Sequence, residues 1–482
     1  MRSERALRAV LWAVLAGYAL VFLGVVAGRF GHPYELEWME GGMLAHARRA
    51  LAGQPVYARP SLDFVAYMYP PLYYYASAAV AAVVGEGFAA LRGLSVASAL
   101  GCLSLLFLIA RRETGSSLAG ALAAGTFVAS YQATGAWLDL ARQDSFYLLW
   151  LLLSIERIRS GPEPARALQS GVCLAAAFFV KQSIVLLAVP VWLVLWLADR
   201  RRAGAAALGA GIPIVFGVAL LDWWHGGWYW YYTVTVPRGH PIETAQAAAF
   251  WTRDILPVFG VALAAVAVHQ WRAVRRSAEP ERFIWVALVV GALASSWSVR
   301  SLVGAYLNNL FPAYAVLCLG GALAFDAARR RGGGVAQAAY LAALLQLGLL
   351  AYDPRALLPT PDDRAAGDAL VAKITSLDGD VFIPHHGYLA RRAGKREYAH
   401  TLGIDNLLLD DRTSDARRDL EIEFLGHFAE RRFGAVILDS DGRYAEFARE
   451  FYGPGEPLFE RDDVFFGVSG GHIRPETLYR KQ

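Results

Sequence analysis

Apolar stretches near the length of a membrane crossing recur along residues 1–352, and nothing else in the sequence limits the fold as strongly. A helix needs about 20 predominantly apolar residues to cross the hydrocarbon layer. Eleven candidates fall at 6–28, 91–110, 117–136, 144–158, 167–181, 183–198, 204–221, 252–271, 283–299, 304–325 and 335–352. Backbone in lipid has no water to bond, so these stretches are expected to be helices. The stretch at 6–28 resembles a signal peptide, but no small-residue cleavage site follows, and it is read as the first span.

Residues 353–482 are unlike the rest. They carry 18 Lys/Arg and 24 Asp/Glu, net −6, whereas residues 1–352 carry 28 and 18, net +10. The net charge of +4 therefore averages two regions and gives no nucleic-acid signal, since no basic run exceeds three residues. The expected fold class is a polytopic α-helical membrane protein with about 11 transmembrane helices in residues 1–352, followed by a soluble α/β domain in 353–482. In the latter, helices are expected at Pro361–Ser376 and Ala416–Arg432, and strands at Asp380–Pro384 and Ala435–Asp439. Cys102, Cys173 and Cys318 sit in apolar runs and offer neither a disulfide framework nor zinc spacing.

Basic clusters orient membrane helices, because cytoplasmic loops carry the excess of Lys and Arg. Arg2/Arg5/Arg8, Arg111/Arg112, Arg157/Arg159/Arg166, Arg200–Arg202, Arg272/Arg275/Arg276/Arg282 and Arg329–Arg331 hold 18 of the 28 basic residues of the membrane part. All six fall on one side if the apolar stretch 72–86 lies at the outer interface, where its tyrosines are favoured, instead of crossing. The expected topology places the N-terminus in the cytoplasm and the tail outside.

Polar residues then collect at the outer face. The first outer loop, about 29–90, holds Glu35, Glu37, Glu40, Arg48, Arg49, Arg59 and Asp63. Glu37 and Glu40 share a helical face if a helix begins near Trp38. A carboxylate partly desolvated there would have a raised pKa and suit general-base work on a hydroxyl, although each of these glutamates would equally be explained by facing water. Asp139, Arg142 and Asp144 stand at a span junction, either as an ion pair closing a turn or as the wall of a polar site. Charges near hydrocarbon cost about 2.5–3.5 kcal/mol each and persist when paired or facing a cavity.

Lys181 is the only lysine in residues 1–352 and interrupts an apolar run at FFVKQSIV. It either snorkels from a helix end or meets a phosphate, for which a compact point charge is suited. Gln182 follows it. The segment 223–232 holds four Trp and three Tyr, which suits an interfacial aromatic belt or a sugar-stacking groove. Arg238 and His240 beyond it, and Arg300, Asn308 and Asn309 in the next outer loop, are further polar candidates. The His385-His386-Gly387 loop of the tail could touch an acceptor or be a plain turn.

The order of these pieces resembles the GT-C class of membrane glycosyltransferases, in the protein O-mannosyltransferase and lipid A aminoarabinose transferase-like superfamily (bacterial mannosyltransferase-like branch). The resemblance covers about residues 6–352. Its pieces are Glu37 and Glu40-Gly41 soon after the first span, the Tyr69–Tyr74 interfacial segment, a span ending in Arg111-Arg112, the Asp139, Arg142, Asp144 turn, and Lys181-Gln182 between two spans. The adjacent Asp-Glu pair usual in that family is absent, since Met39 precedes Glu40.

The resemblance implies an inverting transfer of a sugar from a polyprenyl-phosphate donor to an acceptor hydroxyl on the outer face of a bacterial inner membrane. It implies a catalytic carboxylate at Glu37 or Glu40, a second acidic site at Asp139 or Asp144, and phosphate contacts at Lys181 and Arg142. Gln182, Tyr69, Arg238, His240 and Asn309 complete the candidate substrate-binding set. The acceptor is a glycan, lipid or protein, no cofactor is certain, and a divalent cation is possible. Two competing expectations are a polytopic transporter and a non-catalytic partner in envelope glycan assembly.

Overall fold

The computed structural model describes residues 2–276, 282–409, 414–439 and 443–481. All eleven expected spans lie on helices. They are α1 (Arg2–Phe30), α4 (Phe88–Thr114), α5 (Ser117–Ala129), α6 (Asp144–Arg159), α7 (Pro164–Val180), α8 (Ile184–Ala198), α9 (Arg200–Trp224), and the helices Leu256–Arg276, Phe283–Arg300, Phe311–Arg329 and Gly333–Gly348. Between α1 and α4 lie α2 (Glu40–Leu51) and α3 (Leu72–Val84). Among the described residues, six helical stretches are long and apolar enough, by length and composition, to cross a membrane. The chain is a polytopic α-helical membrane protein with a C-terminal α/β region, as its apolar pattern leads one to expect.

Local chemistry sets the helix ends. The Ser116 and Asp199 side chains cap α5 and α9, and Gly115 closes α4 in the left-handed conformation. Two apolar stretches are less helical than expected. The stretch 117–136 stays α-helical only to Ala129, and residues 130–143 fold as turns around a 3-10 segment at Gln132–Thr134. The helix expected from 304 begins at Phe311, after a 3-10 turn at Leu307–Leu310. Both departures lie where polar side chains converge.

The helix Phe311–Arg329 is the centre of the bundle, with 89% of its apolar window buried, against 6% for α9 at the periphery. Helices α7 and α9 meet backbone to backbone. A Cβ on Gly171 would lie 2.3 Å from the Ala206 carbonyl oxygen, and one on Gly209 would lie 2.3 Å from that of Leu168. Small residues permit such approach where lipid supplies no hydrophobic drive between helices.

The tail folds around a four-stranded sheet, order β1-β2-β4-β3, of Val381–Phe382 (β1), Ala435–Leu438 (β2), Glu456–Pro457 (β3) and Thr477–Arg480 (β4). β1 and β2 are parallel, and the other pairings are antiparallel. The expected helices appear at Pro361–Ser376 and Asp415–Ala429, and the expected strands at β1 and β2. The first of these helices opens with a capping box of Thr360 and Asp363. Phe382, Phe424, Phe428 and Phe433 form an aromatic core beside the sheet.

Candidate active site

One end of the helical bundle holds a layer of buried ion pairs. The C-terminal ends of α1 and α7 and the N-terminal ends of α4 and α6 meet there, together with the 130–143 turns and the Leu307–Leu310 turn. Each of four carboxylates is bonded to a buried cation.

Glu40 opens α2 and is saturated. Its Oε1 accepts from the Arg92 Nε at 3.0 Å and the Ala141 amide at 2.6 Å. Its Oε2 accepts from the other arm of Arg92 at 2.5 Å and from the Leu36 amide at 2.8 Å. Arg92 also donates to the His32 carbonyl at 2.6 Å and the Tyr34 carbonyl at 2.7 Å, so this pair ties the first loop to α4.

Glu37 is equally buried but differently occupied. Its Oε2 accepts from Arg142 at 2.8 Å, while its Oε1 has no hydrogen-bond partner among the described residues. Burial pushes this carboxyl up to about 7, against the pull of Arg142. The Arg142 guanidinium stands 5.4 Å from the Trp137 ring, and its Nε is likewise unbonded. Glu37 thus offers an unoccupied carboxylate oxygen on a carboxyl that burial raises to about 7.

Asp139 is locked by a two-pronged bond from Arg29 and by the Tyr131 hydroxyl at 2.5 Å. Arg29 further donates to the Ala136 carbonyl at 2.5 Å and to Ser469 of the tail at 3.0 Å. Asp144, at the start of α6, accepts through Oδ1 from Lys181 at 3.0 Å and Asn308 at 3.0 Å, and its Oδ2 has no partner among the described residues. Lys181 sits in extended backbone just past α7 and also donates to Asn309 at 2.8 Å. The break between α7 and α8 is what turns this lysine inward.

Gln182 donates to the carbonyls of Met68 and Thr233, both at 3.1 Å, and so joins the first loop to the segment after α9. Tyr69 is half-buried, and its carbonyl accepts from the Tyr57 hydroxyl at 2.6 Å. His240 is buried in the turn after Arg238, and Arg238 itself is exposed and makes no ion pair among the described residues. The aromatic cluster divides by type. Trp223 and Trp224 are 78% and 73% exposed, as an interfacial belt requires, whereas Tyr229 and Tyr232 are buried against Tyr57.

The tail covers this layer. Gly470 has φ +77°, and a Cβ there would lie 2.7 Å from the Glu37 Cγ. The Gly470 carbonyl accepts from the Tyr306 hydroxyl at 3.0 Å. Trp38 stacks on His400, and His386 is buried against Glu35.

The structure thus brings Glu37, Glu40, Asp139, Arg142, Asp144, Lys181 and Asn309 into one layer. Sequence reasoning missed Arg29, Arg92 and the pairing role of Asn308. The available signal was that Arg29 and Arg92 are lone cations at the outer ends of their apolar stretches, where the charge bias disfavours them. Among the described residues, no three His, Cys, Asp or Glu side chains are grouped to hold a metal ion.

No family model and no curated protein matches the sequence. Solved structures do match over nearly the whole chain. ArnT from Cupriavidus metallidurans bound to undecaprenyl phosphate superposes with a TM-score of 0.59 at 13% identity, covering 98% of each chain. Its apo state gives 0.57 at 13% identity, over 96% of this chain and 98% of that one. The archaeal oligosaccharyltransferase AglB from Archaeoglobus fulgidus, in complex with an inhibitory peptide and a dolichol-phosphate, gives 0.53 at 12% identity, over 92% of this chain and 71% of its own. The expected GT-C-like fold is borne out.

Proposed function

We propose that this chain is an inverting glycosyltransferase that moves a sugar from a polyprenyl-phosphate donor to an acceptor hydroxyl at the outer face of a bacterial inner membrane. The observation that carries the reading is the unoccupied, buried Oε1 of Glu37, set in the same layer as the Lys181–Asp144–Asn309 cluster. Neighbours of the same fold bound to undecaprenyl phosphate and to a dolichol-phosphate support a lipid-phosphate ligand.

In this reading the donor enters sideways from the bilayer. Lys181 and Arg142 attract its phosphate. Glu37 takes the proton of the acceptor hydroxyl as that oxygen forms its bond to the anomeric carbon. The bond from that carbon to the phosphate oxygen breaks, and its electron pair leaves with the polyprenyl phosphate. One displacement inverts the configuration. Glu40, with both oxygens engaged, is scaffold in this scheme, and Asp144 orients Lys181. Residues 1–352 form the transferase domain and residues 353–482 its outer cover.

Glu37→Gln and Glu40→Gln separate the two glutamates. Glu37→Gln is expected to fold and to lower turnover by about 10²–10⁴-fold, the usual size of a general-base contribution. Glu40→Gln is expected to lower the yield of folded protein, because Arg92 loses its counter-charge in a buried site. Mass spectrometry of lipid and glycan products in membranes, beside a thermal melt of each variant, reads both effects. Wild-type turnover in Glu37→Gln would remove the base from the scheme.

A further inference from the structure

A second buried chain of charged side chains lies outside the ion-pair layer and joins the tail to the loop that carries Glu37. Strands β1 and β2 run parallel, so their carboxyl ends lie side by side. The residues that follow are therefore neighbours. His386 comes from the loop after β1, and Asp439 follows β2 directly. The His386 Nε2 bonds the Asp439 Oδ2 at 2.9 Å, and its Nδ1 bonds the Glu35 Oε2.

The other oxygen of Glu35 accepts the Gly41 amide at 2.8 Å, and the Glu35 amide donates to the Tyr388 hydroxyl at 3.2 Å. A Cβ on Gly41 would stand 2.4 Å from the Glu35 Oε1, so the contact requires glycine there. The side chains of His386 and Glu35 are 6% and 5% exposed.

We infer that His386 is a positioning residue for the reaction. The Asp439–His386–Glu35 chain clamps both ends of the turn 35–41 and thereby fixes the direction of the Glu37 carboxylate between them. The inference rests on the proposed role of Glu37.

The chemistry of the chain is specific. An ionised carboxylate only accepts hydrogen bonds, and an imidazole donates from both nitrogens only when it is protonated. The His386–Glu35 contact therefore has to hold a proton, on the imidazole or on the Glu35 carboxyl, which burial raises to about 8. Against the cost of burial, Asp439 and Glu35 push the imidazole up to about 10, and His386 holds Asp439 below the usual carboxylate range. A plain apolar contact would have no such requirement for a proton. Glutamine at position 35 would keep the geometry with one proton fewer. Its oxygen would still accept the Gly41 amide, and its NH₂ would donate to a neutral His386, whose other nitrogen would still donate to Asp439.

The test uses the full chain in lipid nanodiscs, with Glu35→Ala, His386→Ala and Glu35→Gln. Amide hydrogen exchange of residues 35–41 reads the clamp, with the helix Phe311–Arg329 as the internal folding reference. Binding of undecaprenyl phosphate reads the lipid-phosphate site, and product formation reads turnover. Glu35→Ala and His386→Ala are expected to speed exchange of the turn at least tenfold and to lower turnover at least tenfold, with undecaprenyl phosphate affinity within twofold of wild type. Glu35→Gln is expected to restore both to within about threefold.

Wild-type exchange and turnover in His386→Ala overturn the inference. So does a Glu35→Gln variant as impaired as Glu35→Ala, which would make the contact mere packing. Should His386→Ala fail to fold, the two Glu35 variants decide alone. If exchange responds as stated but wild type itself makes no transferase product, the proposed function fails while the clamp stands.

Discussion

Glu37 and Glu40 stand three residues apart, and their surroundings differ. Four hydrogen bonds consume the acceptor capacity of Glu40, whereas Glu37 keeps one oxygen unbonded. The pH dependence follows from the shift at Glu37. A base acts only when ionised, and burial raises this carboxyl to about 7. Turnover should therefore rise about tenfold per pH unit below that point and level off above it, read as initial rates across roughly pH 5–9. A profile flat across that range would retire Glu37 as the base. The linkage runs the other way for stability. A carboxyl whose pKa is raised on folding adds stability only while protonated, so its contribution fades as pH climbs through about 7. Individual charges in apolar surroundings were visible in the sequence, and Glu37, Asp139, Arg142, Asp144 and Lys181 could be singled out that way. Their partners could not, because the pairs join residues 110, 105, 52 and 37 positions apart and only the fold decides which cation meets which acid.

At the scale of elements, the eleven helices were legible because a run of apolar residues is a local property. The turns at 130–143 were not, because their polar groups are satisfied by side chains from α1 and from the first loop. The Ala136 carbonyl goes to Arg29, and the Ala141 amide goes to Glu40. The tail loop that carries Ser469 and Gly470 has no strong local signature either, yet it closes the site. Gly470→Ala tests that closure. The left-handed backbone costs a side chain of this size about 1 kcal/mol, so the melting temperature should fall by no more than about 4 °C. The added methyl would displace the Glu37 side chain, and turnover should fall tenfold or more. Unchanged turnover would show that the loop does not set the position of the glutamate.

For the whole molecule, the two charge regimes of the sequence correspond to two structural parts that share one buried layer. Basic residues at the far end pair with acids of that same end, as with Arg159 on Glu113 and Arg329 on Asp326. The catalytic candidates gather at the end covered by the tail. The proposed orientation places these ends on opposite sides of the membrane. A cysteine at exposed Arg461 should react with a membrane-impermeant maleimide in intact cells, whereas one at exposed Arg331 should react only after permeabilisation. The reverse pattern would invert the topology. The bond between Arg29 and Ser469 has a further consequence, in time and not in space. It spans 440 residues, so at roughly 5–20 residues per second the ribosome needs about 20–90 s to deliver the second partner after the first. During that interval the tail side of the charge layer has no cover, because Ser469 and Gly470 have yet to be made. Only a chain translated through its tail can therefore seal the layer that its first helix begins.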